Sequence, residues 1–153
     1  MKIKIINGPN LNFLGVREPE IYGIHTLDDV NRLISNEIKD LGVSLEFLQS
    51  NIEGEIIDYL QKCHFDDTEG IILNPGAYSH YSYAILDAIS SLRIPVIEVH
   101  LTNTSNREGF REKLVTAAAC KGVIKGLSWY SYVLAAIALK NTNQTNHKGD
   151  KII

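Results

Sequence analysis

Residues 2–23 read KIKIINGPNLNFLGVREPEIYG, and the fold follows from how this stretch divides. Lys2-Ile-Lys-Ile-Ile6 is a short β-branched run of the kind that forms a buried strand. Asn7 to Gly23 is too long for a plain connection. Links within compact domains are mostly about four to six residues, and much longer ones tend to carry function. Three asparagines, a Gly-Pro turn, an arginine and a tyrosine crowd into it, with Gly8, Gly15 and Gly23 as expected hinges. A strand followed by such a loop and then a helix opens a β/α unit, and the loop is expected to be a lid that carries chemistry.

Working outward, the same unit recurs. Thr26 is an expected N-cap, with Asp28 and Asp29 in the favourable first turn. Leu27, Val30, Ile34, Ile38 and Leu41 follow at helical spacing, and Gly42 stops the helix. Val43 to Leu48 reads as a second strand, and Ser50 or Asn51 as the cap of a second helix with an Ile56, Ile57, Leu60 stripe. Asp66 to Glu69 is a polar turn, and Gly70-Ile-Ile-Leu-Asn74 is a third strand ending in Asn-Pro-Gly. Ala84, Ile85, Ala88, Ile89 and Leu92 form the apolar face of a third helix, with His80, Tyr83 and Asp87 expected on a different face. Ile94 to Val99 is the fourth strand. A polar loop containing Arg107 and Arg111 leads to a short helix through Ala117 to Ala119. Gly122 to Gly126 is a fifth strand, and Tyr132 to Lys140 a final helix.

Short apolar strands alternating with helices imply a parallel sheet covered on both faces, joined by right-handed crossovers. Five such units in 153 residues predict an α/β, flavodoxin-like, doubly wound five-stranded sheet of order 2-1-3-4-5. The expected organisation is one domain over residues 1–140, with a polar, aperiodic tail over 141–153 expected to be disordered.

The totals exclude several classes. A net charge of −3 and a pI near 5.9 argue against a dedicated nucleic-acid binder. No apolar run approaches a bilayer span, and the opening MKIKIINGPN has no signal core. A cytoplasmic location is therefore expected. Cys63 and Cys120 show no metal-ligand or redox spacing, so idle thiols and no metal are expected.

In open α/β sheets ligands sit beyond the carboxyl ends of the strands, where strand order reverses. The residues past those ends are Asn7 and Asn10 after the first strand, Asn74 after the third and His100 after the fourth. Glu98 and His100 are two apart on a strand and share a face. A carboxylate beside a histidine can fix its tautomer and keep a proton on it. In the lid, Tyr22 lies five residues from Arg17. A free tyrosine ionises near pH ~10, and a close guanidinium in a desolvated site could lower that by about two units. Tyr22 as base, His100 as acid and several amide or cationic donors suit proton abstraction beside a carbonyl with loss of a leaving group.

Four stretches carry a family resemblance. NGPNLNFLGVREPEIYG, SNIEGEIID (50–58), NPGAYSHYSYAILDAI (74–89) and IPVIEVHLTN (94–103) closely resemble the signatures of type II 3-dehydroquinate dehydratases, in register from the first strand through Gly126. The resemblance implies a cofactor-free lyase that takes water from 3-dehydroquinate through an enolate to give 3-dehydroshikimate. It implies that Tyr22 removes the C2 proton, helped by Arg17. His100, oriented by Glu98, would protonate the departing C1 hydroxyl, and Asn10 would stabilise the enolate. Asn74, with the backbone at Leu101-Thr102 and the Thr102 hydroxyl, would hold the substrate carboxylate. His80, Arg111 and an Asp87 from a neighbouring subunit would bind ring hydroxyls, in a homo-oligomer of trimers assembled into a dodecamer. The chain departs from the family at Gly109, where a charged residue is common, and at Leu127 to Tyr132, where a Gly-containing turn is usual. The alternative from a different class is a flavodoxin-like ligand-binding or signalling module without a reaction. A flavin site would need a hydroxyl-rich phosphate loop at Gly8 to Gly15. A phospho-acceptor module would need an aspartate where Asn7 stands.

Overall fold

The structure, a computed structural model, describes residues 1–16 and 18–146; Arg17 and residues 147–153 lie outside the described residues. Five parallel strands form one sheet in the order β2-β1-β3-β4-β5: β1 Lys2–Asn7, β2 Ser44–Gln49, β3 Gly70–Asn74, β4 Val96–His100 and β5 Gly122–Lys125. This is the expected flavodoxin-like order. The helices are α1 Pro19–Tyr22, α2 Leu27–Ile38, α3 Glu53–Cys63, α4 Tyr83–Ser90 and α5 Tyr130–Asn146.

Side-chain alternation sorts the core into two layers. Ile3, Ile5, Ile72, Ile97 and Val99 pack with α2 and α5, through Ile34, Tyr132, Ala136 and Leu139. Ile6, Ile71, Leu73 and Val96 pack with α3 and α4, through Ile56, Leu60, Ile85 and Ile89. These strands are fully buried because both faces are covered, which is why they read as continuous apolar runs.

Local chemistry sets several boundaries. Thr26 Oγ1 accepts from Asp29 N at 3.1 Å while Asp29 returns a bond to the Thr26 N–H, a complete capping box for α2. Gly42 takes φ 65° after α2 and its closing 3₁₀ turn. Ser50 lies two residues before Ile52, the residue at the N-cap of α3. Its hydroxyl accepts from Ile52 N and donates to Glu55, tying the turn to the helix start.

Two expectations are corrected. α5 runs to Asn146, past the Lys140 end expected from composition. A helix anchored by buried Leu139 propagates at low cost once nucleated, and Thr142 Oγ1 donates back to Ala138 O at 2.9 Å. The expectation for residues 147–153 lies outside the described residues. His80 does not belong to the helix that carries Tyr83 and Asp87. It ends a separate 3₁₀ turn, Gly76–His80, because Ser82 caps α4 by accepting from Ile85 N.

At the two departures from the resemblance the backbone makes different demands. A Cβ at Gly109 would meet open space, so nothing there requires glycine. Ser128 takes φ 52° in the turn before α5, a left-handed conformation that costs a non-glycine residue about 1 kcal/mol.

Candidate active site

Two turns interlock over the carboxyl ends of β1 and β3. Gly8 N donates to Asn74 O at 2.7 Å, and a Cβ on Gly8 would lie 2.6 Å from Pro75 O. Gly76, at φ 57°, in turn packs on Pro9. Gly8 is therefore a close-approach position rather than the expected hinge. Gly15 and Gly23, at φ 83° and 81°, do hold left-handed backbone at bends of the loop. Leu11 and Leu14 are buried, so the first half of the loop is anchored to the core and the second half carries Tyr22.

Asn7 and Asn74 are register partners on the α5 face of the sheet. Tyr132, fully buried, joins them: its hydroxyl donates to Asn7 Oδ1 and accepts from Asn74 Nδ2, both at 2.7 Å. Burial pushes the Tyr132 phenol well above its ordinary range, although the Asn74 bond opposes this, so the phenol stays protonated. Asn7 is thus a strand residue with a structural bond. Asn74 keeps its carbonyl on Gly76 N and one amide proton for the cavity it lines.

Glu98 and His100 lie on the opposite face, in the parity of Val96. Glu98 is 0% exposed, and its Oε1 lies 2.7 Å from His100 Nε2. A carboxylate accepts, so Nε2–H donates, and Nδ1 is left for the cavity. The other oxygen, Oε2, accepts from Thr116 Oγ1 at 2.6 Å. Cys120 Sγ lies 3.9 Å from the same oxygen. Burial, and then the Glu98 charge, push this thiol far up, so it is inert.

Tyr22 lines the same cavity as His100, and its hydroxyl accepts from Arg107 Nη1 at 2.7 Å. Burial works against the Arg107 charge. The bond to Tyr22 and the attraction of Tyr22, Glu108 and Glu18 outweigh it, so the guanidinium pKa is raised. Arg111 Nε donates to Glu108 Oε2 at 2.9 Å, and its guanidinium lies 4.8 Å from the Phe110 ring centroid. Glu108 also pairs with Arg107 Nε at 3.5 Å, standing between the two arginines. His80 Nδ1–H donates to Lys113 O at 3.0 Å. Burial holds its pKa below the usual histidine range, the Lys113 bond opposing and Arg111 assisting. His80 is therefore neutral at pH 7, with Nε2 as an acceptor.

These groups surround one cavity of about 170 Å³. Of the residues expected from the sequence, Asn10, Tyr22, Asn74, His80, His100, Leu101, Thr102 and Arg111 line it, and Glu98 stands directly behind His100. Asn10 adopts φ 66°, and no described residue hydrogen-bonds its side-chain amide. Arg17 lies outside the described residues. Asp87 is exposed on α4 and does not line this chain's own cavity. The sequence reading placed Arg107 only in a polar loop. Nothing in its local pattern says that it would meet Tyr22, 85 residues earlier. Among the described residues no group of three or more His, Cys, Asp or Glu could hold a metal ion.

A parallel doubly wound sheet, with a tyrosine–arginine pair facing a histidine–carboxylate pair over its strand ends, defines a flavodoxin-like enzyme suited to acid–base elimination. The family model for class II dehydroquinase matches residues 1–140, and the chain belongs to that family. It is 54% identical over 141 residues to the 3-dehydroquinate dehydratase of Clostridium acetobutylicum, covering 92% of this chain and 97% of that one. The type II dehydroquinase structure from Butyrivibrio crossotus superposes with a TM-score of 0.89 at 48% identity, covering 91% of this chain and 97% of that one. The corresponding structure from Propionibacterium acnes gives 0.87 at 39% identity, covering 92% and 96%.

Proposed function

We propose that this chain removes water from 3-dehydroquinate to give 3-dehydroshikimate through an enolate intermediate, as a step of the shikimate pathway. The observation that carries the mechanism is the facing arrangement of Tyr22 with Arg107 and of His100 with Glu98 across one cavity. Tyr22, as tyrosinate, takes the C2 proton. Arg107, with Arg17, stabilises that anion, because a guanidinium beside a phenolate favours the charged form. Asn10 supplies its side-chain amide to the developing enolate oxygen. His100 then delivers the Nδ1 proton to the C1 hydroxyl as it leaves, and Glu98 stabilises the imidazolium.

The remaining residues hold the substrate. Asn74 and the Leu101-Thr102 segment take its carboxylate. His80, being neutral, accepts from a ring hydroxyl through Nε2. Arg111 serves another hydroxyl, sharing its charge between substrate and Glu108. Mixing the protein with 3-dehydroquinate tests the function directly, since the product is a conjugated enone that absorbs in the ultraviolet. No rise in absorbance would refute it.

The assembly is proposed to be a homo-oligomer of trimers forming a dodecamer, at work in the cytoplasm. Among the described residues no helix is long and apolar enough to cross a membrane. Asp87 stands exposed on α4, outside its own cavity, and is proposed to complete the site of a neighbouring subunit. Mixed oligomers of Asp87→Ala and Tyr22→Phe subunits should then exceed the activity of either parent, because some sites receive a good copy of both residues. Mixed oligomers, verified by mass, that are no more active than the parents would show that Asp87 serves its own chain.

A further inference from the structure

We infer that Thr116 is a positioning residue for the acid, holding Glu98 so that its carboxylate stays turned toward His100. Its kinetic consequence rests on the dehydratase reading; the contacts do not.

Glu98 lies mid-strand between Leu73 and Val123 of the neighbouring strands, with no exposure. A carboxylate there needs donors on both oxygens, since each buried oxygen without one costs the desolvation of a charged group. His100 serves Oε1 and Thr116 serves Oε2. The Cys120 thiol, 3.9 Å away, is a distant and weak donor.

The Thr116 hydroxyl is itself held firmly. Thr116 is 0% exposed and opens the 3₁₀ turn Thr116–Ala119, and as a β-branched residue its χ1 is restricted. The preceding residue is pinned to the turn that carries His80, because Val115 N donates to Ser79 O at 2.6 Å. One short segment therefore sets the depth of both Glu98 and the His80 turn.

Removing the hydroxyl would leave Oε2 facing a methyl group. Glu98 would then rotate toward another donor or lose its alignment with His100. Either change removes the anionic acceptor that fixes Nε2–H and supports the imidazolium. Outer partners of this kind behind metal-bound histidines are worth about 10- to 100-fold. A similar scale is expected here, below the ~10²–10⁴ of the acid itself.

The test compares Thr116→Val with Thr116→Ser. Val should lower kcat about 10- to 100-fold with KM changed less than about threefold, and Ser, which keeps the hydroxyl, should restore most of kcat. In a Glu98→Gln background the Val substitution should cost little more, because its effect runs through that carboxylate. If Thr116→Val does not fold, Thr116→Ala, which removes the hydroxyl without forcing a methyl on the carboxylate, takes its place. Wild-type kcat in the Val or Ala variant, equal losses in Ser and Val, or full cost in the Glu98→Gln background would each overturn the role. Imidazole ¹⁵N shifts of His100 in the ligand-free protein separate the two levels. At a pH where the ring is neutral, a single Nε2–H tautomer in the wild type that becomes mixed in Thr116→Val supports the positioning role whatever the substrate proves to be; an unchanged signal refutes it. Failure of the wild type to turn over 3-dehydroquinate would sink the dehydratase reading alone.

Discussion

Tyr22→Phe is expected to reduce turnover of 3-dehydroquinate by at least about 10³-fold, within the range general-base catalysis spans, while leaving the fold intact. The ring is retained, and it packs against the core cluster that includes Leu11 and Leu14. Only the phenolic oxygen goes, with the bond it accepts from Arg107. Since the base acts first, exchange of the C2 proton with solvent should vanish together with dehydration. A variant that kept a tenth or more of kcat, with an unchanged thermal midpoint, would rule out Tyr22 as the base. Arg107→Ala is the companion measurement. The rising limb of its pH–rate profile should move to higher pH, because the anion loses a cation that touches its oxygen. A limb that stays in place would reduce Arg107 to a substrate contact.

The inner strands β1, β3 and β4 were legible because they are buried on both faces and so carry dense apolar runs, whereas the half-exposed edge strands β2 and β5 were legible only as short apolar stretches between turn residues. Thr26 as a cap and Asp29 as a first-turn acid were legible because helix starts follow a local pattern, here spanning four residues. The pairing of Glu98 with His100 was legible too, since strand periodicity alone puts them on one face. Contacts at long range were not. Arg107 meets Tyr22, Thr116 meets Glu98, and Tyr132 joins Asn7 to Asn74 across 85, 18 and 125 or 58 residues of chain. No spacing rule links such positions; the crossovers of the sheet bring them together. The helical face once assigned to His80 failed for a local reason. Ser82 starts a new helix there, and a serine cap two residues beyond a histidine breaks the periodicity that sequence spacing assumes.

His100→Ala should separate the two halves of the reaction that Tyr22→Phe loses together. Its cost in kcat is expected at ~10²–10⁴, or about 2.7 to 5.4 kcal/mol of transition-state stabilisation. Proton abstraction at C2 depends on Tyr22, Arg107 and the enolate contact of Asn10, none of which the substitution touches. Deuterium from heavy water should therefore continue to enter 3-dehydroquinate at C2, as read by NMR, while 3-dehydroshikimate forms slowly. The substitution also strips Glu98 of one partner in a site with no exposure, leaving Thr116 as its remaining close donor. An uncompensated buried carboxylate can lower stability by several kcal/mol. The double variant His100→Ala/Glu98→Gln removes that charge and should recover the thermal midpoint without recovering kcat. If exchange and dehydration fall by the same factor in both variants, His100 positions the substrate and another group delivers the proton.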